Sequence, residues 1–145
     1  MIILACDHGG YELKETIKAH LVGRGLRVDD VSEKKLDTVD YPVPVKAAVE
    51  KIKHHGLNNS RGIFVCGSGI GVSIAANRFR GIRAALVGTE VYAQLARQHN
   101  DANVLCLGGR FLEEELALRL VDVFLETPFL GGRHSGRVEM LDRLQ

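Results

Sequence analysis

Five short apolar runs recur along the chain, and most are followed by a polar turn and then by apolar residues at helical spacing. The runs have the length and the β-branched content of buried strands. Strands that alternate with helices predict a parallel α/β sheet covered on both faces, and right-handed crossovers make such a sheet doubly wound. The predicted strands are Ile2–Cys6, Leu26–Val31, Gly62–Val65, Ile82–Gly88 and Val104–Gly108.

Between these runs, apolar residues recur every three or four positions, as they do on one face of a helix. Thr89 can cap one such helix over Glu90–Gln98. Val91, Leu95 and Tyr92 are expected to face inward from it. The other predicted helices are one with Leu13, Ile17 and Leu21, one from Pro42 to near Gly56, one from Val72 to Arg78 with Ile70, Ile74 and Ala75 at helical spacing, and one with Leu112, Leu116, Leu120 and Phe124.

A last short helix is predicted to include Val138–Leu144. It is too short and too polar to close a core by itself, so we expect it to pack on a second copy of the chain. Just before it stand two arginines, Arg133 and Arg137, which point the same way if that segment is also helical, because they are four residues apart. A solvated basic turn is the alternative interpretation.

Composition excludes several classes of protein. The 145 residues suffice for one domain with a sizeable core, so residues 1–145 are expected to be a single domain. A net charge of +1 points to neither nucleic acid nor a membrane surface. We also expect no secretory signal and no membrane span. The three cysteines are an odd number without metal-ligand spacing, which suits a reducing cytoplasm and predicts no bound metal.

The stretch Cys66–Gly71 lies between a predicted strand and a predicted helix. Its three glycines let the backbone turn sharply and bring its N–H groups close to a ligand. The start of the helix adds unpaired N–H groups and a partial positive charge, a combination that suits an anion. Dinucleotide-binding and phosphatase patterns both fail, because the residue that each requires is replaced by Val72. A buried cysteine on a turn that simply needs glycine is the alternative.

Polar residues follow other predicted strands at the same edge of the sheet. Asp7 and His8 come after the first strand, and Arg110 comes after the fifth. Ligands of open α/β sheets bind at this carboxyl edge. Asp7 as a helix cap and His8 as a solvated loop residue are the plainer alternatives. By contrast, His99 precedes the fifth strand, so it needs a neighbouring loop or another subunit to join them. Arginines, a histidine and turn amides beside a thiol suggest proton transfer on a phosphorylated small molecule.

Five motifs resemble those of ribose-5-phosphate isomerase type B, in that family's order and over essentially the whole chain. The Cys-Gly-Ser-Gly turn and the Arg-Gln-His-Asn stretch are the most specific of them. The resemblance implies a Rossmann-like three-layer αβα sandwich with a five-stranded parallel sheet and a C-terminal helix that packs on a partner subunit. It also implies a single sugar-phosphate isomerase domain. The motifs are Ala5–Gly10, Asp40–Pro42, Cys66–Gly71, Arg97–Asn103 and Gly131–His134.

The resemblance implies that the enzyme interconverts ribose 5-phosphate and ribulose 5-phosphate through a cis-enediolate, without metal or cofactor. Cys66 matches the base that moves the proton between C2 and C1, and Ser68 can hand protons to nearby oxygens. Some members use a glutamate instead, but position 73 is Ser73 here. His99 matches the residue that opens the furanose ring. The implied substrate-binding residues are Asp7 and Asn100 for hydroxyls and the enediolate, His8, Arg110, Arg133 and Arg137 for the phosphate, and Tyr41, Gly67, Gly69, Ile70, Gly71 and His134 around them.

The family's site lies between the subunits of a homodimer, which is sometimes paired into a homotetramer. The resemblance thus implies a shared site and a cytoplasmic enzyme of the pentose phosphate pathway. Related isomerases act on allose 6-phosphate or galactose 6-phosphate, and they remain alternatives, although Cys66 counts against the galactose enzymes. A non-catalytic sugar-phosphate-binding module would need the turn and the arginines but not Cys66 together with His99. A redox thiol protein would need a C-x-x-C pair, and none exists in the chain.

Overall fold

A computed structural model describes residues 1–144 and contains one five-stranded parallel sheet, in the order β2-β1-β3-β5-β4. All five predicted strands are present. The two edge strands are shorter than predicted, because each has a hydrogen-bonding neighbour on one side only. The strands are β1 Ile2–Cys6, β2 Val28–Asp30, β3 Arg61–Cys66, β4 Ala84–Leu86 and β5 Val104–Gly108.

Six helices connect and flank the strands, so the predicted α/β class is confirmed. The predicted cap of the fourth helix is confirmed too, since the Tyr92 N–H donates to the Thr89 hydroxyl. No helix within residues 1–144 combines the length and the apolar character that crossing a membrane requires. The helices are α1 Tyr11–Gly23, α2 Pro42–His55, α3 Ile70–Ala76, α4 Glu90–Asn100, α5 Glu114–Glu126 and α6 Arg133–Asp142.

The two faces of the sheet carry separate cores, which explains why the central strands are apolar without alternation. Along β1, Ile2 and Leu4 belong to the core that includes residues of α1, α4 and α5. Ile3 and Ala5 belong to the core formed with α2 and α3. Helices therefore cover both faces of the sheet, and polar site residues are expected at the ends of the strands.

The pairing register aligns the carboxyl ends of the three central strands. Cys6 of β1 is opposite Val65 of β3, and Cys66 is opposite Gly108 of β5. The residues that follow β1, β3 and β5 therefore emerge side by side at one edge, which we call the carboxyl edge. At the opposite edge, which we call the amino edge, Gly62 is paired with Val104.

The prediction that Val91, Leu95 and Tyr92 face the core from α4 is wrong. Val91 and Tyr92 are 61% and 62% exposed, and the residues that face the core are Ala93, Ala96 and Arg97. Leu95 is half-buried. Small residues let α4 lie close to α5, so the larger apolar side chains point outward even though their spacing is helical.

The helix after the glycine turn also begins earlier than predicted and shows a different face. Ile70 and Ile74 are about half exposed, whereas Val72, Ser73 and Ala76 are buried. The left-handed Gly69 sets the rotation of α3 as the chain leaves β3. Two isoleucines are thereby left on the surface beside the carboxyl edge.

Candidate active site

Cys66 is the last residue of β3, and its side chain is held by the turn that follows. The Gly69 N–H donates a hydrogen bond to the Cys66 sulfur over 3.1 Å. Next to it, the Ile70 N–H donates to the Ser68 hydroxyl over 3.2 Å. The turn therefore folds back over the thiol and fixes where its sulfur lies.

Gly69 is required at its position for two reasons. Its φ of +79° lies in the left-handed region that side chains disfavour. A Cβ atom there would also lie 2.6 Å from the Leu86 Cδ1 and 2.8 Å from the Leu107 carbonyl carbon. The neighbouring strands thus pack directly against the backbone of the turn.

Several donors of the turn are left free. The N–H groups of Gly67, Ser68 and Gly71 make no hydrogen bond to any protein group within residues 1–144. Tyr41 lies against the same turn, since a Cβ on Gly71 would be 2.7 Å from the Cζ of its ring. The arrangement offers backbone donors beside a thiol, under an aromatic ring, and this is suited to holding the oxygens of a small anion.

The end of β1 contributes Asp7 and His8 to the same edge. The Asp7 N–H donates to the Val65 carbonyl over 3.3 Å, which places Asp7 beside the thiol strand. Its carboxylate accepts the Gly10 N–H, so it does help to close the turn into α1, although Gly10 is the capping residue. The Val39 N–H donates to the Nδ1 of His8 over 3.2 Å. A neutral His8 therefore carries its proton on Nε2, as a donor.

Arg110 lies across the backbone of two glycines from neighbouring strand ends. Its N–H donates to the Gly67 carbonyl over 3.1 Å. Its guanidinium carbon would be 3.2 Å from a Cβ on Gly9, and its Nη1 would be 2.9 Å from a Cβ on Gly67. Within residues 1–144 the guanidinium has no ion-pair partner. The group is therefore available to pair with a phosphate or a carboxylate.

The carboxyl edge thus brings together ten of the predicted site residues. We call this set the thiol group: Asp7, His8, Tyr41, Cys66, Gly67, Ser68, Gly69, Ile70, Gly71 and Arg110.

The remaining five predicted residues form a second set, which we call the histidine group: His99, Asn100, Arg133, His134 and Arg137. The rings of His99 and His134 stack with their centroids 4.2 Å apart. Burial lowers the pKa of His134, and the nearby His99, Arg133 and Arg137 lower it further. Both arginines lie within α6, one turn apart, as the helical spacing predicts.

One chain does not bring the two groups together. Asn100 ends α4, four residues before β5 begins at Val104, and Val104 lies at the amino edge of the sheet. Cys66 lies opposite Gly108, at the other end of that strand. The five residues of β5 span roughly 13 to 17 Å. The prediction that His99 precedes the fifth strand is confirmed, and it lies at the strand end opposite to that of Cys66.

The other two cysteines, Cys6 and Cys106, are not activated as thiolates. Burial raises the pKa of Cys6 to about 11, and it raises the pKa of the fully buried Cys106 as well. Within residues 1–144, no three His, Cys, Asp or Glu side chains cluster in a way that could hold a metal ion. The backbone of Val39 was not predicted to have a role, because the contact of an apolar residue's N–H leaves no sign in the sequence.

The fold and the thiol group define a class: an open α/β protein that holds a thiol at the carboxyl edge of its sheet, beside donors suited to a small anionic ligand. The Ribose/Galactose Isomerase family model matches residues 2–141, and the chain belongs to that family.

Named relatives agree in length as well as in sequence. Ribose-5-phosphate isomerase B of Escherichia coli is 43% identical over 144 residues, which cover 99% of this chain and 95% of that one. A crystal structure of a ribose 5-phosphate isomerase from Thermotoga maritima matches with a TM-score of 0.94 at 48% identity, covering 99% and 97% of the two chains. The Mycoplasma genitalium ribose-5-phosphate isomerase B, solved with bound ribulose-5-phosphate, matches with a TM-score of 0.93 at 40% identity, covering 98% and 93%.

Proposed function

We infer that the protein is an aldose–ketose isomerase that interconverts D-ribose 5-phosphate and D-ribulose 5-phosphate. The observation that carries this inference is the Cys66 sulfur held beside the free N–H groups of Gly67 and Ser68, with the Arg110 guanidinium alongside. Relatives with this fold are named ribose-5-phosphate isomerase B, and one was solved with ribulose-5-phosphate. The whole chain, residues 1–145, is proposed to act as one sugar-phosphate isomerase domain.

The proton transfer follows from the chemistry of the thiol group. As a thiolate, Cys66 takes the proton from C2 of the open-chain aldose, and the electron pair forms a cis-enediolate with charge on its oxygens. Free amides of the turn at Gly67 and Gly71 stabilise that charge as it develops. Ser68 carries protons between the oxygens. Cys66 then returns its proton to C1, which yields the ketose without metal or cofactor.

The remaining steps use both groups. His99 opens the furanose ring as a general acid and base, a role suited to imidazole near neutral pH. Asp7 and Asn100 hold the sugar hydroxyls and the enediolate. The phosphate is held by donors from both groups. The Arg110 guanidinium of the thiol group and those of Arg133 and Arg137 in the histidine group have no ion pair within residues 1–144. Ile70 and Gly69 line the turn. The phosphate ligands are His8, Arg110, Arg133 and Arg137, with His134 beside them.

Because the two groups lie at opposite edges of one sheet, we propose that each site is shared between the subunits of a homodimer. Ile70 and Ile74 on α3 are 53% and 51% exposed, and Leu86, which packs against the turn, is 45% exposed. Val43 beside Tyr41 is 68% exposed. An apolar patch of this kind next to a half-site is suited to a second copy of the chain. In the dimer, α6 of one subunit packs on the other; pairing into a tetramer and a cytoplasmic location remain parts of the proposal.

The first test is conversion of ribose 5-phosphate to ribulose 5-phosphate in the presence of EDTA. The wild type and Cys106→Ala should be active, and Cys66→Ala should lose nearly all turnover. The two variants remove the same atoms from buried cysteines in the same core, so they are matched. Activity that survives in Cys66→Ala would remove the thiol as the base. An inactive wild type that still binds the sugar phosphate would indicate a binding module.

The second test asks whether the sites are shared. Cys66→Ala and His99→Ala proteins, each inactive, are mixed and refolded together. In a twofold dimer with shared sites, half of the dimers are mixed and each of these has one intact site, so about a quarter of the wild-type activity should return. Mixing that restores no activity, with mixed dimers demonstrated by mass spectrometry, would place each site within one chain.

Six-carbon sugar phosphates are the second candidate substrates, because the family description names galactose as well as ribose. The same assay with allose 6-phosphate and galactose 6-phosphate measures this range. A kcat/KM higher for either of these than for ribose 5-phosphate would change the substrate while keeping the proton-transfer chemistry.

A further inference from the structure

Asp101 is the one non-glycine residue within 1–144 with a left-handed backbone, at a φ of 44°. It directly follows Asn100 and caps the end of α4. A strained residue of this kind persists only where its surroundings hold it, and such residues cluster at functional sites. The contacts that hold Asp101 therefore bear on the placement of the histidine group.

Arg83 supplies one set of these contacts. Its Nη2 lies 3.2 Å from the Asp101 carboxylate, and its Nε donates to the carbonyls of Asn100 and Asp101, each over 3.1 Å. Its Nη1 reaches both oxygens of Asp142, over 2.9 and 3.0 Å. Asp142 is the last residue of α6. One guanidinium thus bridges the end of α4 and the end of α6.

Arg83 is itself fixed to the sheet. Its backbone N–H donates to the Asn103 side-chain oxygen over 2.8 Å, and the Asn103 N–H donates to the Arg83 carbonyl over 3.0 Å. The Arg83 side chain is only 15% exposed, so these ion pairs are shielded from solvent more than surface pairs are. The bridge is therefore anchored at the start of β4.

Arg97 holds the other side of Asp101. Its Nη1 lies 2.8 Å from the Asp101 carboxylate and donates to the Ala102 carbonyl over 2.6 Å. Its Nε donates to the Thr127 carbonyl at the end of α5 over 3.3 Å. Asp101 is thus clamped between two guanidinium groups, of which only that of Arg83 reaches α6.

We propose that Arg83 is a positioning residue of the isomerase site: it ties α6 to the end of α4 and so keeps His134, with the nearby α6 arginines, stacked on His99. This proposal rests on the proposed function, because it gives Arg83 a role through residues assigned there. Arg83 belongs to none of the five motifs and is not assigned a contact with substrate. Lysine cannot replace it, since one ammonium cannot make a planar fork to two carboxylates and two carbonyls.

The test compares two rates at saturating substrate. The first is conversion of ribose 5-phosphate, which requires ring opening. The second is exchange of a C1 hydrogen of ribulose 5-phosphate with D2O, which requires the thiol but no ring opening, because this ketose is acyclic. In Arg83→Ala the first rate should fall about tenfold to a hundredfold, as expected for a small misplacement of catalytic groups. The exchange rate should fall less, because exchange depends on Asn100 but not on ring opening by His99.

A merely structural role would lower both rates equally, in proportion to the folded fraction, so the ratio of the two rates is the readout. Arg119→Ala is the matched control, because Arg119 is 53% exposed and pairs only with Glu90 within residues 1–144. It should keep the wild-type ratio. Arg83→Lys should resemble Arg83→Ala more than the wild type. The His99 and His134 ring-proton NMR signals should also move in both Arg83 variants, as the stack loosens.

Asp142→Asn keeps the test decisive if Arg83→Ala does not fold. The Asp142 side chain is 42% exposed at the end of α6, and replacing it with asparagine removes the ion pair with Arg83 without changing the size of the side chain. The ratio should shift in the same direction, by less. Wild-type ratios in the folded Arg83 or Asp142 variants, with an active wild type, would overturn the inference about Arg83. An inactive wild type would instead overturn the proposed function.

Discussion

The imidazole rings of His99 and His134 lie with their centroids 4.2 Å apart and their planes within 12° of parallel. His134 is only 7% exposed. Two protonated imidazoles in this contact would repel each other, and the neighbouring arginines add to the repulsion. The stack therefore favours a neutral His134, which is the direction of its lowered pKa.

This relationship predicts a pH dependence of stability. As the pH falls below about 6.5, the unfolded chain takes up a proton on His134 before the folded chain does. The free energy of unfolding should therefore decrease from pH 6.5 downward, until the lower pKa of the folded state is passed. His134→Gln removes this contribution, so the wild type should lose more stability than the variant between pH 7.5 and pH 5.5. Urea titrations of both proteins measure the difference, and parallel losses would contradict the prediction.

The Gly69 backbone yields a second prediction. Gly69→Ala should abolish isomerase turnover and lower the free energy of unfolding by about 2 kcal/mol or more, because a left-handed alanine would also press on β5. Gly23→Ala is the matched control, since nothing lies within 4 Å of its Cβ position and it ends α1. The control should be neutral or slightly stabilising by thermal melts. Full activity in Gly69→Ala would mean that the turn can move without loss.

Much of this architecture could be predicted from the sequence because it depends on local patterns. Apolar runs and the residues that follow them place Asp7, Cys66 and Arg110 at one edge of a parallel sheet. The same reasoning places His99 at the opposite edge, because α4, which contains it, ends just before β5 begins. The assignment of roles to these residues came from the family resemblance, and those roles stay predictions.

Contacts between residues distant in sequence could not be predicted in the same way. Arg83 meets Asp142 across 59 positions, and neither residue lies in a motif or on an apolar face. The inward face of α4 was missed because Val91 and Tyr92 have helical spacing, but alanines make the close approach. Periodicity identifies a helix, whereas its rotation depends on the neighbours against which it packs.

A third prediction concerns Lys14, whose side chain is fully buried. Its ammonium lies 2.8 Å from the Asp30 carboxylate and donates to the Ser32 carbonyl over 2.9 Å. Burial alone would raise the pKa of Asp30, but hydrogen bonds from Lys14 and Lys18 outweigh it and lower that pKa. Lys14→Met leaves the buried carboxylate with one partner fewer, so the free energy of unfolding should fall by about 3 kcal/mol.

Lys46→Met is the control for this change, because Lys46 is exposed on α2. Its free energy of unfolding should stay within about 0.5 kcal/mol of the wild type. Urea titration at pH 7 measures both variants. A Lys14→Met protein as stable as the wild type would mean that the buried ion pair is offset by the cost of desolvating it.

Arg110 provides the last prediction, since its guanidinium lies close to the backbone of Gly9 and Gly67. Arg110→Lys keeps the charge but loses the planar fork that can donate two parallel hydrogen bonds to a phosphate. The KM for ribose 5-phosphate should rise about tenfold, the equivalent of about 1.4 kcal/mol of binding, while kcat changes less. Arg78→Lys on the exposed surface after α3 should leave both constants unchanged. Steady-state kinetics measure the split: a fall in kcat at constant KM would move Arg110 from phosphate binding to the chemical step.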